Sequence, residues 1–185
     1  MGELAELQQK LSAEEIVRRY VALEADPRFA DFAGKIEINE YGDLLVNAAS
    51  RPHVLLQKRL GAFLEGKLGG KAVTEMPVRV PLAGGAGFKL RVPDISWSGT
   101  AAFFEGPFDQ LVLTQPAELC VEIKSDSNTL KELFEKRDEL LATGALEVWL
   151  VFPLHQRAEF YGREGRLSRS SFAIDLEEFW RSQSR

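Results

Sequence analysis

Glu118-Leu-Cys-Val-Glu122-Ile-Lys124-Ser125 is the stretch on which the reading of this chain turns. Leu119 to Ile123 is short and rich in buried-type residues, as a strand is, and side chains on a strand alternate between its two faces. Leu119, Val121 and Ile123 share one face; Glu122 and Lys124 share the other. A carboxylate and an ammonium thus stand among apolar neighbours, where burying either without a partner is costly. Two readings account for them. They are a structural same-face ion pair, which contributes little if exposed, or they share a bound cation and its water.

Working outward, the next segment predicts a helix over Leu130 to Thr143. Thr129 and Glu132 form a capping-box pattern, and Gly144 follows where a left-handed residue ends helices. Leu146 to Phe152 then reads as an apolar strand stopped by Pro153. Strand, helix, strand implies a parallel pair joined by a right-handed crossover. A hairpin (Ala158–Tyr161, then Leu167) and a closing segment, Phe172 to Trp180, complete the C-terminal side. Upstream, Val73 to Leu82 and Phe88 to Ser98 are strand-like around the loop Ala83–Gly87, which lacks phosphate-loop spacing and reads as a hairpin loop. Before them comes a helix with Ser50 as N-cap, Pro52 in its first turn and Gly69-Gly70 at its end. Leu55, Leu56, Leu60, Phe63, Leu64 and Leu68 line one face of it. A hairpin, Lys35–Asn39 and Leu44–Asn47, precedes that helix, and residues 3–25 look helical up to Asp26-Pro27. The expectation is a single α/β domain: a central mixed sheet flanked by helices, with an N-terminal helical arm over residues 1–33, a core over 34–180, and added hairpins.

A second ionisable group interrupts an apolar pattern at Arg91-Val-Pro93-Asp94. Pro93 marks an edge, a bulge or a break in strand pairing, so Asp94 sits where the backbone is already irregular. Mg²⁺ takes oxygen ligands, commonly one or two carboxylates with waters and phosphate oxygens. Asp94 and Glu122, from adjacent strands, would supply the carboxylates, with the Ile123 carbonyl within reach. Lys124 would orient or deprotonate a water, or stabilise growing charge on a phosphate. Glu-x-Lys alone is a weak signal; its place after a Pro-Asp strand end and before a helix strengthens it.

At this point a resemblance becomes specific. Val92-Pro93-Asp94, followed by Glu122-Ile-Lys124, resembles the signature of the PD-(D/E)XK nuclease superfamily. Within it the chain is similar to the family described as "putative restriction endonuclease", over roughly Lys35 to Trp180. The similarity includes Tyr41-Gly-Asp-Leu-Leu, Cys120–Ser127, Lys136 and Thr143–Pro153. The resemblance implies a restriction-endonuclease-like fold and Mg²⁺-dependent phosphodiester cleavage, with Mn²⁺ as a substitute. Asp94 and Glu122 match its metal-binding acids and Lys124 its catalytic lysine. Lys136 matches the helix lysine that many relatives keep alone; its other reading is an i,i+4 pair with Glu132, contributing about 0.3–0.5 kcal/mol. The superfamily often adds a glutamate from an early helix; Glu37, in the first hairpin, is the nearest substitute. His53 either faces the cleft or is a surface and capping residue. By fold analogy a homodimer acting on DNA is expected.

Bulk properties set the remaining bounds. With 45% hydrophobic residues in 185, the chain can build a substantial core. Cys120 is the single cysteine, and no signal-peptide pattern or long apolar span is present, so a cytoplasmic setting is expected. The net charge is −5, yet residues 51–100 carry eight basic against three acidic side chains. A basic segment in an acidic protein suits a phosphate-facing surface, with Arg51, Lys58, Lys89 and Arg91 expected around the cleft mouth. The acidity also suits a rival, a non-catalytic module that binds nucleic acid or a protein. Trp97, Trp149 and Phe152 read as core.

Overall fold

A computed structural model describes residues 9–29, 32, 34–48, 50–85, 87–100, 112–113 and 116–183. Ser12 opens the first helix, α1 (Ala13–Glu24), by a full capping box with Glu15. Residues 9–12 precede the helix, so it starts later than the expected residue 3, and residues 1–8 lie outside the described part. A β-hairpin follows, β1 (Gly34–Ile38) and β2 (Leu44–Ala48), then α2 (Arg51–Leu68) with Ser50 accepting the His53 N–H. Next come β3 (Lys71–Thr74), β4 (Val78–Pro81), β5 (Phe88–Arg91), β6 (Ile95–Ser98) and β7 (Leu119–Ile123). The crossover helix α3 (Leu130–Ala142) leads to β8 (Glu147–Phe152), the hairpin β9 (Arg157–Gly162) and β10 (Gly165–Leu167), and the closing helix α4 (Leu176–Gln183).

Two sheets result. One runs β2-β1-β5-β4 and the other β10-β9-β8-β7-β6-β3. In the larger sheet β7 and β8 pair in parallel and the other neighbours are antiparallel. The segments expected as two continuous strands, Val73–Leu82 and Phe88–Ser98, are each divided between the sheets. β3 and β6 belong to the larger sheet, β4 and β5 to the smaller. The breaks fall at Glu75-Met76-Pro77 and Val92-Pro93-Asp94. Neither proline has an N–H to give a ladder, and Glu75 turns into the left-handed region at φ 57°. Asp94 therefore lies on the seam between the sheets.

β7 and β8 are buried at every position, as a parallel pair covered on both faces must be. α2 and α4 cover one face, packing Leu60, Leu64 and Phe179 on Trp97, Val121 and Trp149. α3 covers the other, with Leu133 and Leu140 against Cys120, Val148 and Leu150. Truncating a fully buried leucine here to alanine would cost about 2–5 kcal/mol. On the smaller sheet α1 lays Ile16 and Tyr20 against Ile38 and Leu90. Trp97, Trp149 and Phe152 are core residues, as expected. Cys120 is buried, which pushes its thiol up to about 12, with Glu122 adding to the rise. Among the described residues, no helix is long and apolar enough to cross a membrane.

Candidate active site

Asp94 reaches its position because the chain leaves β5, breaks at Pro93 and enters β6 antiparallel to β7, with Ile95 opposite Val121. Its carboxylate is 1% exposed and saturated with donors. Oδ2 accepts the Ile123 N–H at 2.6 Å. Oδ1 accepts Gln57 Nε2 at 2.8 Å, bonds His53 Nε2 at 2.8 Å and holds the Lys35 ammonium. Burial alone would raise this carboxyl, but Lys35 and His53 outweigh it and hold Asp94 well below the usual carboxylate range. Lys35, itself buried, also donates to the Val92 carbonyl at 3.1 Å. Burial would lower its pKa, and the attraction of Asp94 and Glu122 raises it instead.

Glu122 lies on the same cavity, which has a volume of about 470 Å³. Lys136 Nζ stands 3.9 Å from its Oε2, beyond hydrogen-bond range. Burial pushes the Glu122 carboxyl up to about 7; Asp94 and Glu37 add to the rise, and Lys136 and Lys35 oppose it. Glu37, 1% exposed on β1, completes the cluster. It accepts Lys136 Nζ at 2.7 Å, Arg91 Nη1 at 3.0 Å and the Val92 N–H at 3.1 Å. The acids and the cations Lys35, Lys136 and Arg91 form one buried network, and His53, the Ser125–Asn128 segment, Leu45–Asn47 of β2 and the α3 acids Glu132 and Glu135 are also on the lining.

The expected site residues thus divide. Asp94, Glu122, Lys136, Glu37, His53 and Arg91 come together on one cavity. Lys124 does not join them. β7 ends at Ile123, so alternation no longer governs the next side chain. The Lys124 N–H still donates to the Val151 carbonyl, but its ammonium folds onto the Ser125 carbonyl and lines the adjoining cavity. Ile123 touches the acids through its N–H, to Asp94. Of the basic residues expected at the mouth, Arg91 lines the cavity. Exposed Arg51 shares the first turn of α2 with His53, and Lys58 is exposed on that helix. Lys89 is bound to Glu139 at 2.5 Å, which also takes Arg91 Nε at 2.6 Å.

Lys35 and Gln57 are site residues that the sequence reading missed. Gln57 sits on the helix face read as apolar; it is buried where Leu55 is 43% exposed. A polar residue at the spacing of Leu60 and Leu64 was the available signal. Lys35 heads a strand in which Ile36 and Ile38 alternate with Glu37, and nothing local marks it.

Three buried carboxylates, Glu37, Asp94 and Glu122, lie on one cavity, and Glu122 has no close donor among the described residues; this is a donor set that suits a hard divalent cation. Among the described residues no three His, Cys, Asp or Glu side chains form a metal cluster. An ion there would therefore complete its shell with water and substrate oxygens.

Comparisons with known proteins agree with this architecture. The model of the Uma2 family, "Putative restriction endonuclease", matches residues 13–184. Among solved structures, the chain is similar to a putative nuclease belonging to DUF820 from Anabaena variabilis ATCC 29413. The two share 15% identity at a TM-score of 0.63, over 79% of this chain and 89% of that one. No curated protein matches the sequence. The chain belongs to the Uma2 family of putative restriction endonucleases, built on the nuclease-like fold with a central mixed sheet.

Proposed function

We propose that the chain is a divalent-metal-dependent endonuclease that hydrolyses phosphodiester bonds, with DNA as its substrate. The observation that carries this reading is the convergence of Asp94 and Glu122, both 2% exposed or less, on an acid-rich cavity where Lys35, Lys136 and Arg91 stand among Glu37, Asp126, Glu132 and Glu135. Asp94 and Glu122 would hold Mg²⁺, or Mn²⁺ in its place. The bound ion would supply Lewis acidity and an acidified water. The chain's own groups do the rest. Ile123 N–H and Gln57 fix the Asp94 carboxylate. Glu37 holds Lys136 beside Glu122, where its ammonium steadies charge building on a phosphate. Lys35 is the cation that Asp94 must release or share when an ion enters. Lys124, outside the acid cluster, is placed for a neighbouring phosphate. Action in the cytoplasm as a homodimer belongs to the same proposal.

The donor-saturated Asp94 and the outlying Lys124 favour a second reading, a binding module without catalysis. One experiment separates the two. Purified protein and Glu122→Gln are incubated with plasmid, single-stranded DNA and RNA under Mg²⁺ and Mn²⁺. Wild-type protein should cleave DNA, and the variant should lose about a thousandfold or more, the several kcal/mol that a metal contributes. Melts in the same buffers should show a metal-dependent rise for the wild type, about 2–4 °C per kcal/mol of linkage, and none for the variant. Wild-type protein that binds DNA but neither cleaves it nor responds to either metal is the module.

A further inference from the structure

Beside the acid cavity lies a second one, of about 560 Å³, and the two share Ser50, His53, Ser125 and Asp126 as their common wall. Its character is different. Leu56, Leu130, Phe152, Pro153 and Leu154 give it an apolar floor and lip, while Lys124, His155 and Arg157 bring cationic or ring nitrogens to its rim. Leu154 is 89% exposed, the most exposed of the large hydrophobic side chains among the described residues. It is not on a loose loop. Pro153-Leu-His155 is one 3₁₀ turn, closed by Gln156 at φ 45° whose N–H donates to the Pro153 carbonyl at 3.1 Å. Next to it the Arg157 guanidinium lies 4.1 Å from the centre of the Phe152 ring while also pairing with Glu159. Leu154 thereby carries the apolar lining of the cavity outward past its lip, beside the arginine–phenylalanine stack.

We propose that this second cavity receives a nucleobase of the substrate, unpaired and turned out of its stack, one step along the strand from the scissile phosphate. The inference rests on the nuclease reading of the acid cavity and names the kind of strand it takes: single-stranded, frayed or locally opened. Continuity supplies the geometry, since a backbone crossing the His53–Ser125 wall places a phosphate over the acids and the adjacent base against Leu56 and Phe152. Charge supplies the polarity, with Lys124 and Arg157 on the rim for the flanking phosphates, Asp126 as the one acid of the lining and Glu159 paired with Arg157 behind it. Leu154 acts as the wedge that takes the place of the neighbouring base, a use of exposed apolar side chains that accompanies unstacking.

The test compares a fluorescent thymidine oligonucleotide, the same strand with one abasic position, and a blunt duplex, each binding wild-type protein and Leu154→Ser in buffer without divalent ions. Leu154 is almost wholly exposed, so the variant should fold, and matching melting curves check it. Binding of the base-bearing single strand should fall about tenfold in Leu154→Ser, the scale of one lost stacking contact. Sliding the abasic position along the strand should reproduce that loss at one position for the wild type and add nothing for the variant. Equal affinity for every abasic and base-bearing strand, or no loss in Leu154→Ser, overturns the base pocket while duplex binding and metal-dependent cleavage leave the nuclease reading standing. Binding to no nucleic acid, with no cleavage, removes both. Capture of an apolar peptide segment in preference to the oligonucleotide also overturns the proposal.

Discussion

Glu122 and Glu147 stand on adjacent parallel strands, each 2% exposed, and are treated in opposite ways. Glu147, at the start of β8, is enclosed by neutral donors. Its oxygens take the Trp149 indole N–H at 2.9 Å, the Ser170 hydroxyl at 2.7 Å, the Ser171 N–H at 2.6 Å and the Ser171 hydroxyl. Burial alone would raise this carboxyl; those donors hold it below its ordinary value. Glu122, toward the end of β7, has a cation near it, no close donor to match among the described residues, and an open cavity before it. One carboxylate has had its solvation replaced by the fold. The other faces an open cavity with no such replacement among the described residues.

That contrast can be broken by exchanging the losses. Glu147→Ala should destabilise the protein by about 3 kcal/mol in urea unfolding, because the buried Trp149 indole N–H loses its acceptor and the Ser170–Ser171 turn loses its anchor. The surviving folded fraction should keep its metal response. Glu122→Gln should do the reverse, leaving stability nearly unchanged while abolishing that response. Equal destabilisation by both would mean that Glu122 is structural after all.

Acid sharpens the comparison with a smaller effect. Glu147 has a depressed pKa, so its contribution to stability is present above the unfolded value and is lost as pH falls through the folded one. Stability of wild-type protein should therefore decline as the pH is lowered past the mid-fours, and Glu147→Gln should flatten that limb. A limb of unchanged steepness would show that other carboxylates carry the acid sensitivity.

The smallest effect concerns the basic segment. Glu139 neutralises Lys89 and Arg91 beside the cavity, and its own pKa is held down by them against the opposing effect of burial. Glu139→Gln should free Lys89 and leave Arg91 held by Glu37 alone. DNA affinity at low salt should rise a few-fold, and the slope of log affinity against log salt should steepen by about 0.9 for each added phosphate contact. An unchanged slope would place Lys89 and Arg91 outside the nucleic-acid path.

Much of this was legible because it is local. The alternation in Leu119–Ile123, the caps at Ser12, Ser50 and Thr129, and the break at Pro93 are encoded within a few residues, and the structure has each of them. Asp94 and Glu122 stood out as candidates because a proline and a strand announced them. Lys35 and Gln57 were not, since their partner Asp94 lies 59 and 37 residues away along the chain. The division of two apparent strands between two sheets was missed for a related reason. Pro77 and the turn at Glu75 mark the break, but which sheet each half joins depends on β1 and β7, elsewhere in the chain. Lys124 shows the limit of periodicity, which stops meaning anything one residue beyond the strand's end.

The passage of the chain from one sheet to the other and back has a consequence for how such a protein can vary. The β4–β5 hairpin hangs from the seam by its two ends, and its tip at Gly84 and Gly85 meets nothing within 4 Å of where a side chain would begin. Extra residues there lengthen a free end and leave every pairing in place. One extra residue between Val92 and Asp94 would do the opposite, because a register shift of one turns a strand's side chains to the other face. The same excursion thus offers lineages and engineers a terminus-like tip for inserted segments, while the two short joints at its root tolerate changes of residue but none of length.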